Sequence, residues 1–333
     1  MAKLTPKENY RRVLLGEEPE YLPSYYERFS DMVMDQMLTP IILPDGPAYS
    51  PWGVKYVGNK EANFGAIPEP GNFILDDITK WRDVIKNPDM SNFDWEAHFK
   101  DPKILGGADR EQRMLCAGGG DYFQTLVSFM GFEGALMAMY EEPEEVYALL
   151  DYISEHIMYV VKNTIYYTKP DVYMLADDTA AWAAPFVSLD MYRRLLKPFY
   201  KRHYDLALDN NMFIQHHNCG RCEDFIEDWL EMGVNAWDPA QTSNDLAAIK
   251  KKYGDRLTIQ GGWDNTGFIS SLEASDDDLL EALHNYVDLL APGGHFVFLA
   301  MVHGDKEDER YKRKEELIKK FYYDYARDWY KNH

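Results

Sequence analysis

The chain has 333 residues, 46% of them hydrophobic and 14% aromatic, enough to bury a large core in one large domain or two smaller ones. Its 35 basic against 56 acidic residues leave a net charge of -21, which repels nucleic acid and anionic membrane surfaces and points to small molecules and proteins as partners. Three cysteines make no disulfide framework, no uncharged apolar run approaches a membrane span, and the start Met-Ala-Lys-Leu-Thr-Pro-Lys-Glu-Asn lacks the apolar core of a signal peptide, so a cytoplasmic protein is expected.

Thr5 before Pro6 is an N-cap and first-turn pair, and Tyr10, Val13 and Leu14 form a helical apolar stripe that stops at Gly16. Pro19 to Glu27 reads as a turn leading into a first strand. From Phe29 to about Asn92 the pattern is irregular, with turn signals at Asp45-Gly46, Pro51-Trp52-Gly53 and Pro68-Glu69-Pro70-Gly71. That region is expected to be an insertion with a hairpin, a lid or pocket wall, because loops this long are more often functional than idle.

Arg113 to Ala117 is the next strand, and Gly118-Gly119-Gly120 after it reads as a tight turn rather than a phosphate cradle, since no Walker or dinucleotide spacing accompanies it. A long helix from Pro143 to Tyr167 carries its stripe through Val146, Leu149, Leu150, Ile153 and Ile157. From Val172 onward strands and helices alternate. The strands are Val172 to Ala176, Met212 to His216, Val234 to Trp237, Leu257 to Gln260 and His295 to Val302, and the helices centre on Leu195, Phe225, Ala248, Leu283 and Ile318. Such alternation with short connections predicts an α/β fold in which a parallel sheet is covered by helices. A (β/α)8 TIM barrel with the N-terminal insertion and hairpin, forming one domain over 1-333, is expected, with a doubly wound sheet as the alternative.

In such a fold function sits at the strand C-terminal ends, and the polar residues there are Asp177, Asp178, His217, Cys219, Asp238, Asp264 and His303. Asp238 and Asp264 read equally well as caps of the helices that follow. His217 and Cys219, two apart at the end of an apolar strand, point the same way, and imidazole with thiolate makes half of a tetrahedral zinc site, while His216 faces the other side. Cys219-Gly-Arg-Cys222 also fits a redox Cys-x-x-Cys, although that motif normally opens its domain. The alternation His295, Val297, Leu299, Met301, His303 brings His303 to the rim as a metal or substrate contact. Trp182, Trp237 and Trp263 cluster at the same end and suggest a pocket for a flat apolar body, while core packing would account for any one of them.

Taken together, Thr-Pro-Lys-Glu-Asn-Tyr with Gly-Glu-Glu-Pro-Glu at the start, Asp177-Asp178, His217-Asn218-Cys219-Gly220, Tyr253-Gly254-Asp255-Arg256 before Gly261-Gly262-Trp263-Asp264, and Ala291-Pro292-Gly293-Gly294 resemble the uroporphyrinogen decarboxylase superfamily over most of the chain. Within it they resemble the corrinoid-dependent methyltransferase branch. The decarboxylases carry an arginine-rich stretch at the first strand for substrate carboxylates, where this chain reads Pro-Ser-Tyr-Tyr-Glu-Arg-Phe. Thiol methyltransferases of the family hold zinc with His-x-Cys and a later Cys. This chain has no Cys after Cys222, and His303 lies near the later position. Trading a thiolate away makes a zinc ion a stronger Lewis acid, which fits the branch resembling veratrol-type aryl methyl ether demethylases. The resemblance therefore implies methyl transfer from a methoxylated aromatic to the cobalt(I) of a corrinoid protein, with His217, Cys219 and His303 on zinc, Asp178 or Asp264 acting on the departing phenolate, and Trp182, Trp237 and Trp263 around the ring. Nothing resembles a cobalamin-binding motif, so the corrinoid is expected on a separate partner protein. The reverse transfer, to a thiol or tetrahydrofolate, and a tetrapyrrole lyase are the alternatives.

Overall fold

The computed structural model describes residues 4-34, 38, 48-59, 65-105 and 107-333. The helix Pro6–Leu15 forms as its sequence dictates: the Thr5 hydroxyl accepts the Glu8 N–H at 3.1 Å, and Gly16, at φ 71°, closes the other end. Its stripe of Tyr10, Val13 and Leu14 is buried against one face of the main sheet.

That sheet is parallel and has seven strands in the order β1 (Phe29–Met34), β5 (Met114–Gly118), β6 (Val172–Ala176), β7 (Phe213–His217), β8 (Ala236–Ala240), β9 (Thr258–Gly261) and β10 (Phe296–Val297). A second, antiparallel sheet joins β2 (Ala48–Tyr49), β3 (Lys55–Asn59) and β4 (Gly65–Pro68). The eight-stranded closed barrel is thus corrected to a curled, open seven-stranded sheet among the described residues. The last strand accounts for much of the difference, because the expected run to Val302 keeps its ladder only at Phe296–Val297. Beyond it the Phe298 N–H and C=O bond to Pro23 and Tyr25, an isolated bridge that brings β10 to the approach of β1 without a continuous ladder, and the Leu299 backbone is engaged by the Tyr286 hydroxyl. A second correction concerns the first strand: β1 lies inside the stretch read as insertion, after a 3-10 turn at Tyr25–Glu27.

The expected hairpin is a three-stranded unit, and the turn at Asp45-Gly46 lies outside the described residues. Trp52 anchors this unit inward, edge-on to Phe129 at 5.8 Å and to His156 at 5.7 Å, with its N–H on the Asn87 side chain.

Strand alternation sorts the core into two layers. Met114, Cys116, Val172, Met174, Ala236 and Val297 join Tyr10 on the concave face. Leu115, Tyr173, Leu175, Ile214 and Trp237 face the outer helices, chief among them Pro143–Thr168, whose Val146, Leu149, Leu150, Ile153 and Ile157 are buried as the stripe predicts. Each such side chain stabilises the packing by about 1.5-3 kcal/mol. No described helix is long and apolar enough to cross a membrane.

Candidate metal centre at the strand ends

Parallel pairing aligns Ala176, His217 and Asp238 at one level on β6, β7 and β8, all on the concave face. His216, one residue earlier, faces outward as alternation requires, with Nδ1 on the Tyr204 hydroxyl and its ring against Trp229. Past the strand ends, Asp177 and Asp178 part company. Asp177 is buried and accepts the N–H groups of Tyr122, Phe123 and Gln124 and the hydroxyl of Tyr200, so it caps the helix Phe123–Met130. Asp178 turns to the mouth, where its Oδ1 accepts the Cys219 N–H at 2.7 Å.

The loop after β7 is held residue by residue. Asn218 pairs with the Thr179 N–H and hydroxyl, which ties the end of β7 to the end of β6. Gly220 sits at φ 89°, and a Cβ there would lie 2.5 Å from the Ala180 carbonyl oxygen, so this close approach requires glycine. Cys222 is buried and its thiol donates to the Cys219 carbonyl at 3.2 Å, a turn contact rather than an exposed redox partner. Cys219 is left to face the mouth, its Sγ 3.9 Å from His217 Nε2, which is itself 4.0 Å from Asp178 Oδ1.

The ligand atoms of Asp178, His217 and Cys219 all lie within 4.8 Å of one another, the one such group of three among the described residues. One imidazole, one thiolate and one carboxylate match the donor types of zinc, and three protein donors leave the fourth tetrahedral position open. Behind His217, Nδ1 lies 3.4 Å from Asp238 Oδ1. Burial alone would lower the His217 imidazole, but Asp238 and Cys219 outweigh it and hold its pKa well above the ordinary value. Burial pushes the Cys219 thiol up against the pull of His217. Asp238 is raised by burial and brought below its ordinary value by His217, Arg28 and Tyr25. Burial and the carboxylates of Asp177 and Asp178 push the Asp121 carboxyl, just past the glycine turn, up to about 7.

Other residues expected at the site lie elsewhere. His303 is exposed on the chain beyond β10, outside the group of three, and its N–H donates to the Ser270 carbonyl. The exposed Asp264 carboxylate accepts the N–H groups of Thr266 and Gly267 in its own turn. The tryptophans do not line one pocket. Trp182 is 52% exposed on the loop packed at Gly220, Trp263 donates to the Met301 carbonyl beside a cleft of about 20 Å³, and Trp237 is fully buried on the outer face against Trp229. Trp237 precedes the inward-facing Asp238 by one residue, so alternation turns it away from the mouth. A larger cavity, about 530 Å³, lies between Phe298 and the helix Glu309–Phe321 and includes none of the three clustered residues.

The uroporphyrinogen decarboxylase (URO-D) family model matches residues 113-302, more than half of the chain. This chain belongs to the uroporphyrinogen decarboxylase family. The match runs from β5 past β10 and so contains every strand that carries the site. Among solved structures, a methyltransferase from Methanosarcina mazei superposes with a TM-score of 0.57 over 96% of this chain and 100% of its own, at 13% identity, a likeness of fold. No protein of curated function matches the chain.

Sequence reasoning named His217 and Cys219 and left Asp178 as an acid. Tyr25, Arg28 and Gln215, which surround Asp238, it did not single out. Gln215 had a signal, since it lies two residues before His217 on the same strand face. Tyr25 and Arg28 had none, because they meet Asp238 across more than 200 residues of chain.

Proposed function

We propose that this member of the uroporphyrinogen decarboxylase family is a methyltransferase that takes the methyl group of a methoxylated aromatic and passes it to the cobalt(I) of a separate corrinoid protein. The observation that carries this reading is the convergence of Asp178, His217 and Cys219 at the mouth of the sheet. These three would hold a zinc ion, which supplies Lewis acidity toward the ether oxygen from which the methyl departs. Asp178 thereby takes the ligand position that the sequence assigned to His303. In the transfer the carbon–oxygen bond breaks with its electron pair staying on oxygen, so the task of the site is to stabilise the phenolate that forms. Burial and the nearby carboxylates of Asp177 and Asp178 favour the protonated form of Asp121.

Arg28 speaks against a decarboxylase acting on a tetracarboxylate. It is the sole arginine of the first-strand stretch, and its side chain is 3% exposed and turned to Asp238 at 3.5 Å. The half-open mouth beside the exposed Trp182 suits a flat ring brought between this chain and the corrinoid partner.

The test is a visible absorbance assay under anoxic, reducing conditions, with cob(I)alamin or a corrinoid protein and a pool of aryl methyl ethers. Enzyme-dependent formation of methylcobalamin with release of the matching phenol is expected. Absence of both with a competent corrinoid protein rejects the reading.

A further inference from the structure

The concave face carries a buried carboxylate, Asp238, that the proposed chemistry leaves unused. Asp238 is 1% exposed, and its carboxylate meets four side chains that can donate, those of Tyr25, Arg28, Gln215 and His217. Its Oδ2 accepts the Tyr25 hydroxyl at 2.7 Å and lies 3.5 Å from Arg28 Nη2; its Oδ1 accepts the Gln215 side-chain amide at 2.8 Å and lies 3.4 Å from His217 Nδ1. Gln215 is held in turn by Gln260, and Gln260 by the Tyr10 hydroxyl at 2.8 Å, so the row reaches the N-terminal helix. The Arg28 guanidinium sits over the rings of Tyr25 and Phe29, its Nη1 donates to the Tyr25 carbonyl at 3.0 Å, and neither its Nε nor its Nη2 has a hydrogen-bond partner. Among the described residues the carboxylate paired with this buried guanidinium is that of Asp238, and its charge favours the ionised form of that carboxylate.

We infer that Asp238 is the positioning residue of the metal centre: it fixes the proton of His217 on Nδ1, so that the lone pair of Nε2 is the one turned toward Cys219 and Asp178. A ring free to flip or to carry its proton on Nε2 would offer the group no nitrogen ligand. Histidines that bind metal commonly have their other nitrogen bound to a carboxylate, and loss of that partner costs 10-100-fold in affinity. Here the carboxylate comes from the neighbouring strand, and residues of the first strand's approach, Tyr25 and Arg28, hold it in place. The inference rests on the metal reading of the site for its consequence, although the ring state itself does not depend on metal.

Two measurements on the full chain separate these. Nitrogen-15 NMR of histidine-labelled protein without metal, at a pH alkaline enough to keep the ring neutral, reads the tautomer of His217, assigned by difference from His217→Gln. The Nδ1–H form is expected in the parent and a mixture in Asp238→Asn. An Nε2–H ring in the parent, or an unchanged ring in Asp238→Asn, overturns the inference, and the parent spectrum suffices should the variant not fold. Zinc competition against a chromophoric chelator then gives the consequence, a 10-100-fold weaker site in Asp238→Asn. If the parent binds no zinc while the tautomer behaves as stated, the metal reading fails and the positioning by Asp238 stands. If both proteins bind zinc equally and the ring is unchanged, the metal reading stands and the inference fails.

Discussion

The two ends of the curled sheet's rim look alike in composition and behave differently in space. After β6 and β7 come Asp178 and His217-Asn218-Cys219; after β9 and β10 come Asp264 and His303. At the first end adjacent ladders hold the strands in register to their last residues, Asn218 ties one loop to the next, and Asp238 stands behind His217. At the second end the ladder stops at Val297, the Asp264 carboxylate folds back on its own turn, and His303 is exposed. Polar residues beyond a strand converge where neighbouring strands are paired up to the point of departure, and where pairing stops early they serve local turns.

Removing a ligand is the strongest way to break this contrast. His217→Ala or Cys219→Ala should weaken zinc binding about a hundredfold or more, whereas His303→Ala and Asp264→Ala should leave it unchanged, as elemental analysis and chelator competition will show. An equal loss in His303→Ala would merge the two ends into one site.

Acid should separate the ends next. Burial lowers His203, between the Tyr122 and Tyr173 hydroxyls, and His216 to about 3, so both stay neutral in the folded protein at mildly acid pH. The unfolded chain takes up these protons below about pH 6.5, so stability is full above that value and falls as pH drops toward about 3. At pH 5 the loss should be about 2 kcal/mol per histidine, seen as a lower urea midpoint, with hydrogen exchange reaching β6 and β7 before β9.

Backbone strain gives a smaller effect of the same polarity. Gly220→Ala places a Cβ against backbone at φ 89° and should cost about 2 kcal/mol, while Gly293→Ala, at φ 77° with nothing within 4 Å, should cost about 1 kcal/mol. Thermal unfolding of the two variants compares them directly. Asp264→Ala removes a turn cap and should likewise lower stability by about 1 kcal/mol, with zinc binding intact.

Much of the first end was legible in the amino-acid order. The period of two in Phe213-Ile-Gln-His-His separates His216 from His217 and puts Cys219 on the side of the latter, and the structure has them so. The same rule, applied to Trp237 and Asp238, turns the tryptophan into the core once Asp238 is known to face inward. The last strand could not be foreseen from His295 to His303, because that alternation is real along the chain while the hydrogen bonds go to Pro23, Tyr25 and Tyr286.

What the sequence determined by itself is what depends on neighbours a few residues away: the capped N-terminal helix, the stripe of Pro143–Thr168, the alternating strands and helices, and the pairing of His217 with Cys219. Tertiary structure alone decided which distant residues share a level of the sheet. Register set Asp238 beside His217, loop packing turned Asp178 rather than His303 toward Cys219, and among the described residues the two edges of the sheet, β1 and β10, meet through an isolated bridge at Ser24 and Phe298 rather than a ladder. The physical reason is that side-chain direction follows local backbone periodicity, whereas convergence depends on pairing between strands, which no single segment encodes.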